Sequence, residues 1–467
     1  MLSAVIGPRY ISPTQAARAA QCMHAWHLEC HGDPEQRVAP DAGALRLIAA
    51  GEAWERECFE SVDGAVKVEW NEKDWAAGHA TTEALMREGA PWIYQPVLVR
   101  DDVRGRPDFL RRVRGRSRLG RYTYEPVDVK SHQEVTAKDR VQLCVSARLL
   151  QAILGHAPRR GGIWLSTGRI APVRLDDTDD LLDEMRRVRD ESAPTEAVRC
   201  SECGTCPWVE HCWRAWEAAR HSTLIYGVTG ATARKLISAG LRTVDDVALV
   251  APARLARKIG VPRDKAARFQ RAARAWATGR PIAVRRPRWP DTPAVHFYDV
   301  ETLGETVYLH GLVTLKHGAT EERQAFVRAV DDERRAWHEF LDVVAVLPEG
   351  PIYSWTNYER RFARALWSRH HGSARGYRRL TRDLVDLCAL VRDHYALPAS
   401  SYSLKEVAPL FGFAWQAEDA GGLAAGAWYE EWLARPDDDA LLRRICEYNL
   451  DDVRAMAVVY RGLLGVS

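Results

Sequence analysis

The sequence lacks any long hydrophobic run. No uninterrupted apolar segment approaches the roughly 18 to 20 residues that a membrane-spanning helix needs, so we expect no membrane contact. The first residues, MLSAVIGPRYIS, also lack the charged start, apolar centre and small-residue cleavage site of a secretory signal. We therefore expect a cytoplasmic protein. The cysteines would then stay reduced rather than pair in disulfides.

Lysine is scarce and the net charge is small. The chain has 66 Lys and Arg against 63 Asp and Glu, and only nine of the cations are lysine. A lysine within a group of candidate catalytic residues is therefore less often a coincidence than it would be in a lysine-rich chain. The positive charge is unevenly distributed, since residues 251–290 carry twelve Arg or Lys and one acid. Such a stretch is either a solvated face or a contact for an anionic polymer.

The length and composition exclude several classes of protein. With 467 residues, 46% of them apolar and 28% charged, the chain is too rich in apolar residues for a disordered protein and too long for a mini-protein. It shows no collagen-like period and no internal repeat. At about 100 to 200 residues per domain, the length predicts two to four domains, each with a hydrophobic core.

The hydrophobic pattern changes along the chain. Residues 1 to about 215 have the mixed helix and strand pattern of an α/β domain, whereas 217–280 show only short amphipathic helices and 281–293 contain four prolines. A second α/β pattern follows from residue 294. The pattern predicts helices near 13–30, 43–62 and 139–154, and strands near 92–99, 107–110, 122–131, 295–300, 307–315, 324–330 and 352–355.

Two acids and a lysine occur on neighbouring strand-like segments of the first α/β region. Asp108 lies in RPDFL, and Asp128 and Lys130 follow in PVDVKS. Because side chains alternate along a strand, Asp128 and Lys130 point to the same face. Two converging carboxylates can hold Mg²⁺ or Mn²⁺ against a phosphodiester, and a lysine can orient the attacking water. The alternative is a turn residue beside an exposed ion pair.

This pattern resembles the PD-(D/E)XK motif of RecB-like nucleases. The resemblance implies that Asp108 and Asp128 are metal ligands and that Lys130 orients the water. Glu55, in GEAWE, stands where the family places an additional metal ligand. Gln142, on the following helix, matches a supporting contact. A restriction-endonuclease-like fold follows from the same resemblance.

Five cysteines form a second group with chemical potential. Cys200, Cys203, Cys206 and Cys212 lie within thirteen residues, and Cys22 is in the segment AQCMH near the start. Thiolates bind soft or borderline metals, and this spacing is too dense for isolated structural thiols. One interpretation is a zinc knuckle made of the four late cysteines.

A branch of the RecB-like family binds a [4Fe-4S] cluster through one early and three late cysteines. By this resemblance Cys22 is the early ligand, and Cys203, Cys206 and Cys212 are the late ligands. Cys200 is then an alternate, because the chain offers five cysteines for four positions. Such a cluster would link the beginning of the first domain to its end and would have a structural role.

A further acidic group occurs in the second α/β region. Asp299 and Glu301 end the strand-like segment VHFYDVE, which places both acids on one face. Glu359 follows in WTNYE, and Tyr448 and Asp452 are four residues apart in a helical segment. Four acids from a strand and two helices match the needs of a two-metal phosphodiester hydrolase, in which a tyrosine can position the water.

This set resembles the DEDD exonucleases of the ribonuclease H-like fold, particularly the YprB-type domain. The resemblance implies metal binding by Asp299, Glu301, Glu359 and Asp452, and water positioning by Tyr448. Glu359 stands where most of these enzymes have Asp. Asp451 competes with Asp452, and Asp383 or Asp386 are alternatives for the third position.

The segment around residues 224–236 resembles a helix-hairpin-helix, whose turn presents backbone N–H groups to DNA phosphates. Thr229 replaces the second glycine of the usual motif. Together with the basic stretch at 251–290, this resemblance implies a contact with nucleic acid that does not depend on sequence.

We therefore predict an α/β multidomain protein that resembles bacterial RecB-family nucleases. The predicted domains are a RecB-like lobe (1–216), a basic all-α segment (217–280), a linker (281–293) and a ribonuclease H-like lobe (294–467). The predicted activity is metal-dependent hydrolysis of DNA, in exonuclease mode, in repair, recombination or defence. Alternatives are a nucleic-acid-binding scaffold with inactive sites and an RNA-processing nuclease. No G-x4-G-K-[ST] phosphate loop occurs, so unwinding would need a helicase partner.

Overall fold

The computed structural model describes residues 8–40, 42–316, 333–416 and 422–466. The chain divides into two compact units, residues 1–215 and 216–467. No helix in the described ranges combines the length and the apolar character needed to cross a bilayer. The strand predicted near Gln324–Val330 lies outside the described residues.

The first unit is a mixed sheet with helices packed against it. The helices to residue 218 are α1 (Pro13–Gln21), α2 (Met23–His31), α3 (Ala42–Glu60), α4 (Trp75–Glu88), α5 (Ala137–Leu154), α6 (Asp179–Glu191) and α7 (Val209–Ala218), with 3-10 helices at Pro34–Gln36 and Ser201–Thr205. The strands are β1 (Ala65–Lys67), β2 (Trp92–Tyr94), β3 (Leu98–Arg100), β4 (Val103–Gly105), β5 (Phe109–Ser117), β6 (Gly120–Lys130), β7 (Arg160–Leu165) and β8 (Ile170–Arg174).

The sheet of the first unit has the order β1-β2-β5-β6-β7-β8. The long strands β5 and β6 form an antiparallel hairpin, and β6 then runs parallel to β7. This places β6 in the interior of the sheet, where its last residues are buried on both faces. Helix α5 packs on β6 and buries an apolar face that includes Leu143, Val145, Leu149 and Leu150. The C-terminal end of β6 is therefore held rigidly beside α5.

Two predicted elements of this unit are interrupted. The helix predicted near 13–30 is two helices, because Cys22 adopts an extended conformation between α1 and α2. The continuous strand predicted near 92–99 is wrong: Gln95 has a left-handed backbone (φ 49°) and precedes Pro96, and both break the extended run. Strands β2 and β3 consequently belong to different sheets.

The second unit contains a four-stranded sheet and most of the remaining helices. Its helices are α8 (Gly230–Ser238), α9 (Val244–Leu249), α10 (Pro252–Ile259), α11 (Arg263–Thr278), α12 (Glu333–Val346), α13 (Tyr358–His370), α14 (Ala374–Asp383), α15 (Leu387–His394), α16 (Leu404–Val407), α17 (Gly422–Ala434) and α18 (Asp439–Leu464), with 3-10 helices at Ser222–Leu224 and Ala408–Phe411. Its strands are β9 (Ile282–Ala283), β10 (Ala294–Leu303), β11 (Thr306–Lys316), β12 (Ile352–Ser354), β13 (Leu384–Asp386) and β14 (Tyr395–Ala396).

The sheet of the second unit has the order β11-β10-β12-β13, with β10 antiparallel to β11 and parallel to β12. Strand β10 is thus central, and its residues are almost all buried. The register between β10 and β11 shifts after Glu301, where a bulge bends the strand end. Helix α18 packs across β10 and β11 through residues such as Leu450, Val453 and Met456. This packing brings α18 over the acidic end of β10.

The proline-rich segment predicted as a linker is partly ordered. Ile282 and Ala283 form β9, which pairs antiparallel with β14. Trp289 stacks edge-on against Tyr460 of α18 at 4.9 Å between ring centroids. The segment therefore packs on the second unit, and its designation as a separate linker stays a prediction.

Candidate functional site

The first acidic group lies where β6 ends beside the start of β5. Asp128 is completely buried, and its Oδ1 accepts a hydrogen bond from the backbone N–H of Asp108 at 3.4 Å. Asp108 reciprocates, since its Oδ2 accepts from the backbone N–H of Val129 at 2.6 Å. The two carboxylates are therefore tied together by backbone hydrogen bonds across the hairpin. In the described part of the chain Asp128 Oδ2 has no hydrogen-bond partner.

Lys130 and Gln142 complete this group on one side. Lys130 Nζ lies 3.7 Å from Asp128 Oδ2 and 3.4 Å from Gln142 Oε1, which projects from α5. Burial lowers the pKa of Lys130, but the carboxylates of Asp128 and Asp108 more than offset this effect, and the net shift is upward. The lysine therefore stays charged beside the acids.

Glu55 of α3 is close enough to these acids for its charge to raise the pKa of Asp108. Its Oε1 accepts a hydrogen bond from Gln95 Nε2 at 3.0 Å. Gln95 is the residue with the left-handed backbone, and its backbone N–H donates to the carbonyl of Asp108 at 2.8 Å. The break after β2 thus aims Gln95 at Glu55.

Burial raises the pKa of Asp108 well above its usual range, and the negative charges of Asp128 and Glu55 raise it further. Burial is likewise the largest cause of the raised pKa of Asp128. Acids that repel one another in a buried position are stabilised by a cation placed between them. The five residues that the sequence predicts for this site lie in one neighbourhood, but in the described part of the chain their carboxylates are not all within 4.8 Å of one another, as those of Asp299, Glu301 and Asp452 are.

The five cysteines converge on one place in the first unit. The thiols of Cys22 and Cys203 both make hydrogen-bonding contact with Cys200, whose Sγ is 4.0 Å from that of Cys203. Cys206 and Cys212 are close enough for their charge states to interact with Cys200. The extended Cys22 between α1 and α2 is what directs its side chain to this group. None of the cysteines in the described ranges forms a disulfide.

The spacing of these thiols is close for one pair and wider for the whole group. In a tetrahedral zinc site, with Zn–S of about 2.3 Å, all sulfurs lie about 3.8 Å apart. Among the described residues, the only group of three or more His, Cys, Asp or Glu ligand atoms within 4.8 Å of one another is Asp299, Glu301 and Asp452. Cys200 and Cys203, at 4.0 Å, are about as close as two ligands of one zinc ion, but in the described part of the chain no three of these sulfurs lie that close together.

The second acidic group is the most compact one that the structure describes. Asp299 and Glu301 extend from the end of β10, and Asp452 approaches from α18. Burial raises the pKa of Glu301 to about 8, with Asp452 as the next cause. Burial also raises the pKa of Asp299, followed by the charges of Glu301 and Asp452. A buried acidic group of this kind fits a divalent metal ion, which prefers carboxylate oxygens.

Glu359 lies beside this trio rather than within it. It is 3% exposed near the start of α13, and its carboxyl makes a hydrogen bond with that of Asp299. Burial raises the pKa of Glu359 to about 7. Its Oε2 is one of the buried atoms without a hydrogen-bond partner in the described part of the chain. An unsatisfied buried oxygen next to three acids is consistent with a second cation position.

Sequence reasoning missed three residues that organise the second group. Lys405 Nζ lies 3.5 Å from Asp452 Oδ1, and Trp415 Nε1 donates a hydrogen bond to the same oxygen at 2.6 Å. Asn449 Nδ2 donates to Asp299 Oδ2 at 2.7 Å. The scarcity of lysine is a signal for Lys405, whereas Trp415 and Asn449 carry no signal in the sequence.

Tyr448 and Lys405 form a stacked arrangement around Asp452. The ammonium of Lys405 lies 3.9 Å from the ring centre of Trp415 and 4.6 Å from that of Tyr448. Tyr448 is buried, and its hydroxyl makes a hydrogen bond with Asp452. Burial lowers the pKa of Lys405, and the attraction of Asp452 offsets this effect only in part.

The alternative acids point elsewhere. Asp451 accepts hydrogen bonds from the Gln416 backbone at 2.9 Å and from Arg454 at 3.3 Å. Asp383 pairs with Arg382 at 2.7 Å. Asp386 caps α15 through the Ala389 backbone, although its charge still reaches Glu359. Of the two neighbouring acids on α18, Asp452 is the one that joins the compact trio.

Thr229, which stands where the helix-hairpin-helix motif usually has its second glycine, has a local structural role. Thr229 is the N-cap of α8, and its hydroxyl accepts a hydrogen bond from the Thr232 backbone at 3.4 Å. A threonine serves this position better than a glycine, because its side chain satisfies a helix N–H. Gly227 supplies the left-handed turn (φ 79°) just before. The basic stretch then follows on α10, α11 and the segment around β9.

Residues 296–464 match the RNase_H_2 family model of the RNase_H superfamily. The C-terminal region therefore contains a ribonuclease H-like domain, a nuclease-type fold whose members are commonly nucleases. The matched range begins within β10, three residues before Asp299, and contains the five residues predicted there, Asp299, Glu301, Glu359, Tyr448 and Asp452. No curated protein matches the chain.

Proposed function

We propose that the protein is a divalent-metal-dependent nuclease that hydrolyses phosphodiester bonds in DNA, with exonuclease action. The compact buried trio of Asp299, Glu301 and Asp452, within a ribonuclease H-like domain, is the observation that carries the proposal. A second hydrolytic site of the PD-(D/E)XK type in the first unit is part of the same proposal.

In the ribonuclease H-like site, Asp299, Glu301 and Asp452 would hold Mg²⁺ or Mn²⁺, with Glu359 beside a second position. Bound divalent ions supply Lewis-acid stabilisation of the phosphate and activation of water. Asn449 and Lys405 fix the orientation of Asp299 and Asp452 through their 2.7 and 3.5 Å contacts. Tyr448 holds a hydroxyl at Asp452, where it can position a water molecule.

In the first unit, Asp108 and Asp128 would hold the metal, with Glu55 as a further ligand. The unsatisfied Oδ2 of Asp128 and the mutual repulsion of the acids support this assignment. Lys130 would orient the attacking water, and Gln142 restrains the lysine at 3.4 Å. The sheet order and the position of α5 are compatible with a RecB-like lobe.

The cysteine group supports a structural [4Fe-4S] cluster in the same unit. Cys22, Cys203, Cys206 and Cys212 are the proposed ligands, with Cys200 as the alternate. Anaerobically purified protein is expected to be brown and to lose this absorbance in the Cys22→Ser variant. Cys388→Ser is the matched control, since that thiol only donates to the Tyr402 carbonyl at 3.3 Å. A colourless protein that contains stoichiometric zinc would contradict the cluster.

The function is tested by digestion of end-labelled single-stranded and double-stranded DNA with Mg²⁺ or Mn²⁺. Lys130→Met and Asp299→Asn, made separately in the full chain, report on the two sites. Each variant is expected to lose part of the activity, and shortening from one labelled end would establish exonuclease action. Unchanged cleavage in both variants would refute the site assignment.

Two outcomes of this experiment would replace the proposal. Binding of DNA without cleavage under any of the metals would favour a scaffold with inactive sites. Faster degradation of a matched RNA would identify an RNA-processing nuclease. Addition of a helicase tests for a partner, because the proposed nuclease has no recognisable motor for opening duplex DNA.

A further inference from the structure

A cavity of about 540 Å³ adjoins the acidic group of the first unit. It lies between the start of α1, the β3–β4 hairpin, the start of α4 and the part of α5 that carries Gln142 and Ser146. The side chains that matter for its chemistry are Arg9, Tyr10, Trp75, Arg104, Arg106 and Gln142. Its volume lies within the range of small-molecule binding sites, about 300 to 1,000 Å³.

The cavity is lined by cations that are held in place by aromatic rings. The guanidinium of Arg104 lies 4.4 Å from the ring centre of Tyr10 and 4.5 Å from that of Trp75. Arg9 approaches the outer side of Tyr10 at 5.5 Å. Because guanidinium groups stack on aromatic faces while their N–H edges stay available, these contacts orient Arg104 without consuming its donors.

The charge of these arginines is not neutralised locally. In the described residues neither Arg9 nor Arg104 has a carboxylate ion-pair partner, and Arg106 contacts only the exposed Glu72 at 3.5 Å. Several other arginines of this unit are paired with a carboxylate, as Arg186 is with Asp102 at 2.7 Å. An oriented guanidinium without a counter-ion in a cavity is suited to bind a phosphate.

Gln142 connects the cavity to the proposed hydrolytic site. Gln142 lines the cavity and also contacts Lys130, whose Nζ lies 3.7 Å from Asp128. Arg106 is two residues before Asp108 on the connection into β5. A strand whose phosphate lies at the acids would therefore pass its neighbouring nucleotide over Gln142 towards the arginines.

We propose that this cavity is a subsite that binds a nucleotide of single-stranded DNA next to the linkage being cleaved. Arg104 binds the phosphate of that nucleotide, Arg9 and Arg106 add positive charge, and Tyr10 and Trp75 hold Arg104 and border the base. The inference rests on the proposed nuclease site of the first unit, and it names the part of the substrate that this site holds.

The test combines a local readout with an affinity measurement on the full chain. Single-stranded DNA containing 5-iododeoxyuridine is bound without divalent metal, so that hydrolysis does not occur, and is photo-crosslinked. Mass spectrometry is expected to find the crosslink at Tyr10 or Trp75. Arg104→Met is expected to remove this crosslink and to weaken binding about tenfold, as expected for a lost charged hydrogen bond. The salt dependence of log K should decrease by about 0.7 for the lost phosphate contact.

Two variants guard against a folding artefact. Arg9→Met changes an exposed side chain with little packing and should reduce the crosslink yield without changing the melting temperature, while Arg104→Lys should restore part of the salt dependence. Arg121→Met is the matched control, because Arg121 is exposed on β6 nine residues before Lys130. At about 3.3 Å per strand residue it lies about 23 Å from Asp128 along the strand and should have no effect.

The outcomes separate this inference from the proposed function. Crosslinks only outside the cavity, or equal binding and salt dependence in Arg104→Met, would overturn the subsite even if the protein cleaves DNA through Lys130. Loss of the crosslink in Arg104→Met together with no cleavage by the parent would support the subsite and overturn the nuclease proposal. Displacement of the strand by thymidine monophosphate at equal nucleotide concentration would overturn the strand assignment in favour of a mononucleotide site.

Discussion

The two acidic groups solve the same electrostatic problem with different parts of the chain. Each combines buried carboxylates with one of the nine lysines. In the first unit Lys130 lies two residues from Asp128 on the same strand, whereas in the second unit Lys405 is supplied by α16 and reaches Asp452 of α18. The pairing of Lys130 with Asp128 can be deduced from neighbouring residues in the sequence, whereas the pairing of Lys405 with Asp452 forms only when the chain folds.

The two lysines also differ in their electrostatic balance. The attraction of Asp128 and Asp108 exceeds the effect of burial on Lys130, and the pKa of Lys130 is raised. Burial exceeds the attraction of Asp452 on Lys405, and the pKa of Lys405 is lowered. We infer that Lys130 is suited to remain a fixed cation at the substrate, while Lys405 is a positioning residue that acts through Asp452.

The largest effect is expected at the compact trio. Asp452→Asn should reduce the activity of the ribonuclease H-like site roughly a thousandfold or more. A bound metal stabilises the transition state by several kcal/mol, and each loss of about 1.36 kcal/mol lowers the rate about tenfold. Asp451→Asn is the neighbouring control and should retain activity, since Asp451 is occupied by Gln416 and Arg454. Initial rates on end-labelled DNA with Mn²⁺ measure both. Equal losses would show that the trio is wrongly assigned.

A somewhat smaller effect is expected from the local lysine. In the Asp452→Asn background, Lys130→Met should lower the remaining activity by about 10²- to 10³-fold, the usual cost of removing one preorganised charge at a reacting phosphate or oxyanion. Lys67→Met removes an exposed lysine of β1 that pairs with Glu69 at 3.5 Å, and should leave kcat unchanged. If the double variant keeps the rate of Asp452→Asn, the first unit does not hydrolyse DNA.

Removal of Lys405 should reduce activity less than removal of Lys130. Lys405→Met is expected to cost about 10- to 100-fold in metal affinity or activity, the range for partners that orient metal ligands. A titration of Mn²⁺ against rate separates the two effects. Lys67→Met, at the exposed lysine of β1, is again the control. A loss as large as that of Asp452→Asn would mean that Lys405 contacts the substrate, and the distinction between the two lysines would fail.

The comparison of the two acidic groups shows which of their residues can be predicted from the sequence. Asp128 and Lys130, Asp299 and Glu301, and Tyr448 and Asp452 are pairs whose spacing matches a strand or a helix, so their shared faces can be deduced from periodicity. The central strand β10 of the second sheet is also visible as an apolar run before Asp299. These signals are local, and the ribonuclease H-like fold of residues 296–464 agrees with them.

Long-range contacts are what the sequence does not reveal. Asn449 and Trp415 meet Asp299 and Asp452 only through the packing of α18 on β10. Gln95 lies inside a predicted strand, but its backbone is left-handed and its N–H donates to the Asp108 carbonyl, a contact between residues thirteen apart in the sequence. The choice between Asp451 and Asp452 likewise needs the rotation of the helix relative to the sheet.

The smallest predicted effect concerns the pH dependence of the stability of the second unit, which should change when a metal binds at Asp299, Glu301 and Asp452. The pKa of Glu301 in the folded protein is about 8 and that of Glu359 about 7, both above the usual glutamate value near 4.3. At a pH between the unfolded and the folded pKa values, these glutamates carry a proton in the folded state that the unfolded state has released. The stability of the metal-free protein therefore falls as the pH rises from about 5 to 8.

A cation between the acids replaces those protons. Without metal, we expect the melting temperature of the second unit to drop by several degrees between pH 6 and pH 8.5, since 1 kcal/mol corresponds to about 2 to 4 °C in a domain of this size. Mn²⁺ should remove most of this dependence, and Glu301→Gln should remove part of it without metal. Differential scanning calorimetry in EDTA and in Mn²⁺ measures the shift. A pH dependence that Mn²⁺ leaves unchanged would place the ion away from Glu301, and the repulsion among these acids would then need another explanation than metal binding.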